Sequence, residues 1–190
     1  EGLHRTSWDL RYPPVDPPQI EAPARDEWDG SPQGPLVVPG RFTVSLARRV
    51  AGVVSPLGEP QAFAVESLGL ASLGEKDRQA LLAFQQRAGS LQRAMMGAAG
   101  AVNDALRNIQ FMKKALADTP KADAKLGDEV RSLEKKLRAA LTTLAGDRTV
   151  RRRSEAVLPS LMDRVSGQLG STSPITGTVR RDYDIAASGF

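Results

Sequence analysis

A long run of apolar residues, spaced alternately three and four apart, constrains this chain more than any other feature. The run has eleven members: Leu81, Phe84, Ala88, Leu91, Met95, Ala98, Val102, Ala105, Ile109, Met112 and Leu116. A shorter run with the same spacing follows: Leu126, Val130, Leu133, Leu137, Ala140 and Leu144. This spacing is the a/d pattern of a coiled-coil-like helix. Because the connection between the runs is short, the sequence predicts an antiparallel helical hairpin.

Capping signals set the expected limits of these helices. The Ser-x-x-Glu box at 72–75 predicts Ser72 as the N-cap of a first helix that ends near Ala117. Thr119 and Pro120 predict the N-cap and first residue of the second helix, and Gly146 its end. The helices would be about 65 Å and about 36 Å long. The amino-terminal half of the first helix therefore needs other partners.

Two shorter segments are the expected partners. The first runs from Pro159 to Leu169 with an apolar stripe, and the second begins at Ser173-Pro174. A patch of small residues at 97–101 predicts close approach of a neighbouring helix to the long helix. A hinge or kink in the helix and a ligand groove are the alternatives. Together these segments predict an antiparallel helical bundle over residues 69–190.

Residues 1–68 have a different character. Eight of the 13 prolines fall in the first 40 residues, which excludes regular helix there. Alternating apolar residues predict strands over Trp8–Tyr12 and Arg41–Leu46, a third after Pro60, and a short pairing at Val53-Val54. Phe42, Val44, Leu46, Phe63 and Val65 are expected to point inward. So few short strands make a poor core by themselves. We therefore expect residues 1–68 to form part of a β-sandwich, and the whole chain to be α+β, mainly α.

The composition excludes several classes of chemistry. There is no Cys, and His4 is the single histidine, so thiol nucleophiles, disulfides and His-clustered zinc sites are excluded. No phosphate loop, nucleophile elbow or EF-hand loop occurs, and the acidic cluster at 26–30 lacks the ligand spacing for calcium. No apolar run approaches the length of a membrane span. We expect no catalytic residue, metal or cofactor in this chain.

Basic residues concentrate in one region. Ten basic and five acidic side chains lie between Lys121 and Arg153, a local excess of +5 in a chain of net charge +4. One interpretation is a solvated helix surface of mixed charge. The alternative is a helical module that binds anionic polymers. Its candidate contacts are Lys135, Lys136, Arg138, Arg151, Arg152 and Arg153. Since no aromatic stacking platform accompanies these charges, nucleic acid is not the expected partner.

Two motifs resemble strands of a known family. They are Trp-Asp-Leu-Arg-Tyr-Pro at 8–13 and Gly-Pro-Leu-Val-Val-Pro-Gly-Arg-Phe-Thr-Val at 34–44. Both are similar to strands in the C-terminal region of secreted bacterial sortilin-like β-propeller proteins with Asp-box repeats, which are grouped with the glycosyl hydrolases. The helical region is similar to theirs in layout only. The chain itself contains no Asp-box (Ser-x-Asp-x-Gly-x-x-Trp), so the resemblance transfers no catalytic residue.

The resemblance implies a fibronectin- or immunoglobulin-like partial sandwich and a secreted or periplasmic, non-catalytic accessory module. Such a module would support an upstream β-propeller, or associate with another chain of the same protein as a homo-oligomer. Alternatively, this chain is part of a glycosidase whose active site lies in the propeller. The residues expected to carry the structural role are apolar and aromatic: Trp8, Tyr12, Phe42, Leu91, Met95, Val102, Ile109, Leu133 and Leu137.

Overall fold

The computed structural model describes residues 3, 5–17, 33–69, 73–153, 155–167 and 169–190. The acidic cluster at 26–30, His4 and Ser72 lie outside them. The strands are β1 (Gly40–Val44), β2 (Ala47–Val50), β3 (Val53–Pro56) and β4 (Gln61–Val65). The helices are α1 (Glu75–Ala117), α2 (Ala124–Ala145), α3 (Arg148–Arg152), α4 (Leu161–Ser166) and α5 (Gly177–Gly189). The chain is mainly helical, with small antiparallel sheets before the helices, as predicted.

The predicted hairpin of unequal helices is confirmed and α2 ends at Gly146 as predicted, but two of its capping signals are wrong. Gly74, not Ser72, is the N-cap of α1, and Asp123 is the N-cap of α2, accepting the Lys125 N–H at 2.9 Å. The Thr119 hydroxyl instead donates to the Ala115 carbonyl at 2.7 Å, so it closes the end of α1. The start at Ser173-Pro174 is wrong as well, because Thr176 caps α5.

The core joins four helices around the first half of α1. Met95 of α1, Leu144 of α2, Val165 of α4 and Ala186 of α5 form one buried cluster. Leu91 packs against this cluster, and half-buried side chains complete it: Ala98, Ala99, Leu161, Met162 and Tyr183. The expectation that two further helices bury this half of α1 is confirmed. The glycines of the 97–101 patch are exposed, and a Cβ on Gly97 or Gly100 would meet nothing within 4 Å. The patch therefore reaches its neighbours through its alanines.

The buried stripe of α2 differs from the predicted one. Leu133 was expected in the seam, yet it is 47% exposed, and Leu126 is 49% exposed. The inward positions belong to half-buried Val130, Leu137 and Leu141, with buried Leu144. The physical reason is a polar contact at the seam: Glu134 turns toward α1 and accepts a hydrogen bond from Lys113. That contact fixes a rotation of α2 that leaves Leu133 outside.

The strands form one long, interrupted hairpin. β1 pairs with β4 and β2 pairs with β3, both antiparallel, and the Leu57 N–H donates to the Leu46 carbonyl between the two ribbons. Ala51 and Gly52 both have positive φ, as a two-residue type I′ turn requires. The pairing expected at Val53-Val54 is therefore confirmed. We call residues 40–65 the β-arm.

Two predictions about the strands are wrong. Residues 8–12 form no strand: Leu10 has φ +58°, and Arg11 makes one isolated bridge to Leu36. Val44 and Leu46 do not point into a core but are more than half exposed. Val44 and Leu46 stay exposed because, in the described part of the chain, the arm has no second sheet against which to pack.

The core predicts a sharp difference between two leucines. Leu144 is 7% exposed inside the four-helix cluster, and Leu158 is 90% exposed in the loop before α4. We expect Leu144→Ala to lower the free energy of unfolding by about 2–5 kcal/mol, because it removes buried methyl groups and leaves a cavity. Leu158→Ala should change it by less than about 0.5 kcal/mol. Urea unfolding followed by circular dichroism measures both, and equal losses would refute this core.

Candidate functional site

The candidate anion contacts do not form one face. Arg138 donates to Glu134 at 2.8 Å, Arg151 donates to Asp163 at 2.7 Å, and Arg153 lies 4.0 Å from Glu155. Lys135, Lys136 and Arg152 are exposed. Consecutive helical residues point about 100° apart, so Lys135 and Lys136 diverge. These six residues are therefore close in the sequence but do not form one surface. Three of them, Arg138, Arg151 and Arg153, lie beside acids.

Glu134 is the electrostatic centre of the helical hairpin. One carboxylate oxygen accepts Lys113 Nζ at 2.8 Å, and the other accepts Arg138 Nη2 at 2.8 Å and Gln110 Nε2 at 3.3 Å. The side chain is 14% exposed. The hydrogen bond from Lys113 and then that from Arg138 lower the pKa of Glu134 from its usual 4.5 to about 2. These contacts fix the level at which α1 and α2 meet.

A second carboxylate fixes the start of α4. Asp163 accepts bonds from the backbone N–H and the hydroxyl of Ser160, at 2.9 Å and 2.7 Å, while Ser160 accepts the Asp163 N–H. Arg151 reaches the same oxygen from α3. Burial opposes ionisation of Asp163, but the bonds from Ser160 and Arg151 outweigh it and lower its pKa. Arg151 therefore serves to hold α3 against α4.

An aromatic trio holds the β-arm to the chain before it. The Trp8 ring meets Phe42 and Phe63 edge-on, with centroids 5.4 Å and 6.1 Å away, and Phe42 stacks on Phe63 at 6.0 Å. Trp8 Nε1 donates to the Arg11 carbonyl at 2.8 Å. Two of the predicted structural residues, Trp8 and Phe42, are thus in contact. A third, Tyr12, is fixed through its backbone, because its N–H donates to the Pro35 carbonyl at 2.9 Å.

The same amino-terminal segment is fastened to the long helix. Arg93 of α1 donates to the carbonyls of Val15 and Pro14, each at 2.9 Å. A Cβ on Gly89 would lie 2.5 Å from the Val15 side chain, so that glycine allows the close approach. A Cβ on Gly34 would lie 2.0 Å from the Tyr12 carbonyl oxygen. We call residues 8–17 the strap, since they connect the β-arm to α1.

A cavity of about 230 Å³ lies where the strap, α1 and the segment before α5 meet. Leucine and valine side chains make up much of its wall. Its polar members are Arg11, Arg78, Gln85, Ser171 and Thr172. Gln85 donates to the Ser171 carbonyl at 2.8 Å, and Arg78 to the Leu73 carbonyl at 2.6 Å. These bonds join neighbouring backbone segments, which is a structural role.

The remaining predicted residues lie in or beside the helical core. Met95 and Ile109 are buried, and Leu91, Val102 and Leu137 are half-buried. Leu133 is exposed, as described above. Sequence reasoning missed Glu134, Gly34 and Gly89. The only sequence signal for Glu134 is that it is the one carboxylate in its heptad. The two glycines have no sequence signal, because the residues that approach them, Tyr12 and Val15, are distant in the chain.

The described residues contain no group of three or more His, Asp or Glu side chains that could hold a metal ion. Within the same residues, no helix has the length and apolarity to cross a bilayer. Comparison with protein families, with curated proteins and with solved structures finds no match to this chain.

The Glu134 contacts predict a pH dependence with a definite sign. The folded-state pKa is the lower one, so the stabilisation is present above the unfolded value of 4.5 and is lost as the pH falls toward 2. The difference in free energy of unfolding between the wild type and Glu134→Gln should therefore shrink from pH 6 to pH 3. Urea titrations at both pH values measure it. Glu66→Gln, in an exposed position after β4, should show no such change.

Proposed function

We propose that this chain is a non-catalytic accessory module that displays its β-arm to an upstream β-propeller of the sortilin-like type. The module would support the propeller or hold it in an assembly, in a secreted or periplasmic protein. The chemistry of any glycosyl hydrolase would then reside in the propeller, outside this chain.

One observation carries the proposal: the β-arm is a pair of two-stranded ribbons with exposed apolar side chains. Val50 and Val53 lie directly opposite each other and are 63% and 68% exposed. Val44, Leu46 and Val54 are also more than half exposed. Two strands alone are marginally stable in water, and unpaired edges favour further pairing. An arm of this kind is best explained by a partner that covers it.

The attachment of the arm supports the same function. The aromatic trio fixes the base of the arm to the strap, and Arg93 fixes the strap to α1. A mobile hairpin would lose conformational entropy on binding, whereas an arm held at its base loses less. The helical bundle thus serves as the rigid body from which the arm is presented.

The finer fold assignment follows from the same arm. We propose that the β-arm is part of a fibronectin- or immunoglobulin-like sandwich whose other strands come from the partner. In the pairing of β1 with β4, Phe42 lies opposite Phe63 and Val44 lies opposite Gln61. These four side chains therefore share one face of the ribbon. A second sheet packed on an arm face would bury apolar surface worth about 25 cal/mol per Å².

The arm predicts a selective loss of binding. The double variant Val50→Lys/Val53→Glu replaces the apolar pair by opposite charges, which suit facing positions in a hairpin. We expect its affinity for the propeller of the parent polypeptide, produced separately, to fall at least about ten-fold, because two apolar contacts are lost. Isothermal titration calorimetry measures the affinity, and circular dichroism checks the fold.

Phe111→Lys is the matched control, since Phe111 is equally exposed but lies on α1, outside the arm. It should bind like the wild type. Unchanged binding of the arm variant would contradict the proposal, as would glycoside hydrolysis by this chain alone.

A further inference from the structure

The outer half of the helical hairpin carries an apolar surface that the other described residues leave open. It consists of five side chains, which we call the distal ledge: Ala105 and Met112 of α1, and Leu126, Leu133 and Ala140 of α2. Met112, Leu126 and Leu133 are 50%, 49% and 47% exposed. Leu126, Leu133 and Ala140 recur every seven residues, so they share one stripe of α2.

On α1 the ledge continues a stripe that is covered elsewhere. Phe84, Leu91, Ala98, Ala105 and Met112 are each seven residues apart. Phe84 meets the Tyr183 ring of α5 at 5.5 Å, while Leu91 and Ala98 pack against the four-helix core. α5 ends at Gly189, beside Leu161, Ala98 and Ala140. Beyond that point the same stripe has no helix over it among the described residues.

The opposite side of the hairpin is polar. Gln110, Lys113 and Arg138 converge there on Glu134. The outer half of the hairpin is therefore amphipathic, with a charged side and an apolar side. Such a helix pair has its apolar side against another apolar surface.

We propose that a second copy of this chain covers the distal ledge, forming a two-fold dimer of helical hairpins. The proposal goes beyond the accessory function above, because it uses a different surface and requires no propeller.

Charge at the rim of the ledge selects a second copy as the occupant. Glu129 and Lys136 flank Leu133 on the rim of α2, one on each side and seven residues apart. A two-fold axis beside Leu133 makes the two α2 helices antiparallel, and then each Glu129 faces the Lys136 of the other copy. The rim is thus complementary to itself, as a two-fold interface requires.

The axis also suits α1 and the length of the ledge. Lys113 contacts Glu134, so Met112 lies at nearly the same level as Leu133 and would meet its own counterpart near the axis. Along α1, the end of the helix at Ala117–Asp118 is about 9 Å from Met112 in one direction. Val102, which lies beside Phe190, is about 15 Å from Met112 in the other direction. The tip of the second hairpin therefore fits between the axis and the end of α5.

The first test measures the mass of the full chain by sedimentation equilibrium across a range of concentrations. The wild type should approach twice the 20.4 kDa of one chain. Leu133→Asp should remain at 20.4 kDa, since it places a charge at the centre of the interface. Phe111→Asp, on an exposed position outside the ledge, should dimerise like the wild type. A wild type that is monomeric at every concentration overturns the proposal, and so does a dimer that Leu133→Asp leaves intact.

The second test uses surface charge and does not endanger folding. Glu129→Lys puts two like-charged pairs across the proposed rim and should raise the dimer dissociation constant about ten-fold. Lys136→Glu should do the same. The double variant Glu129→Lys/Lys136→Glu restores opposite charges and should return to within about three-fold of the wild type. Additive losses in the double variant would exclude this axis. None of these variants touches the β-arm, so the two proposals can fail separately.

Discussion

The whole structure depends on burying one apolar stripe along a helix of 43 residues, about 65 Å of rise. No other helix in the described part of the chain is long enough to do this. α2 covers the outer half along one seam, while α4 and α5 complete a four-helix core around Met95. The stability of the chain is therefore unevenly distributed. Dense packing holds the first half of α1, and the outer half relies on one helix and the ion pairs of Glu134.

The β-arm meets the same constraint in another form. A sheet, like a helix, needs a second layer over its apolar face, and a two-stranded ribbon cannot supply one. Trp8 covers Phe42 and Phe63 at the base of the arm, but among the described residues nothing comparable covers the valines near its turn. The β-arm and the outer half of the helical hairpin thus both expose apolar side chains.

The sequence predicted what depends on periodicity and missed what depends on competition between local contacts. Heptad spacing identified α1 and α2 because both must bury a stripe, and it identified the need for further helices because their lengths differ. Heptad spacing could not predict the rotation of α2, because Leu133 and Leu137 both occupy seam positions of the heptad. The observed rotation, with Leu137 inside and Leu133 outside, is the one in which Glu134 accepts a hydrogen bond from Lys113. The caps failed for a similar reason. Thr119 can bond forward as an N-cap or back to Ala115, and spacing alone does not decide between them.

The basic region shows that an excess of positive charge in the sequence does not by itself predict a single basic face. A local excess of +5 in the sequence suggested an anion-binding face, yet Arg138 and Arg151 lie against carboxylates that organise the fold. Each such pair removes a cation from the field that a polyanion would experience, because the acid partner contributes the opposite charge at the same place. Arg153 lies 4.0 Å from Glu155. The other three candidates, Lys135, Lys136 and Arg152, diverge over α2 and α3. Lys136 then has a more local role available, at the rim of an apolar surface, where one charge sets orientation and not affinity for a polymer.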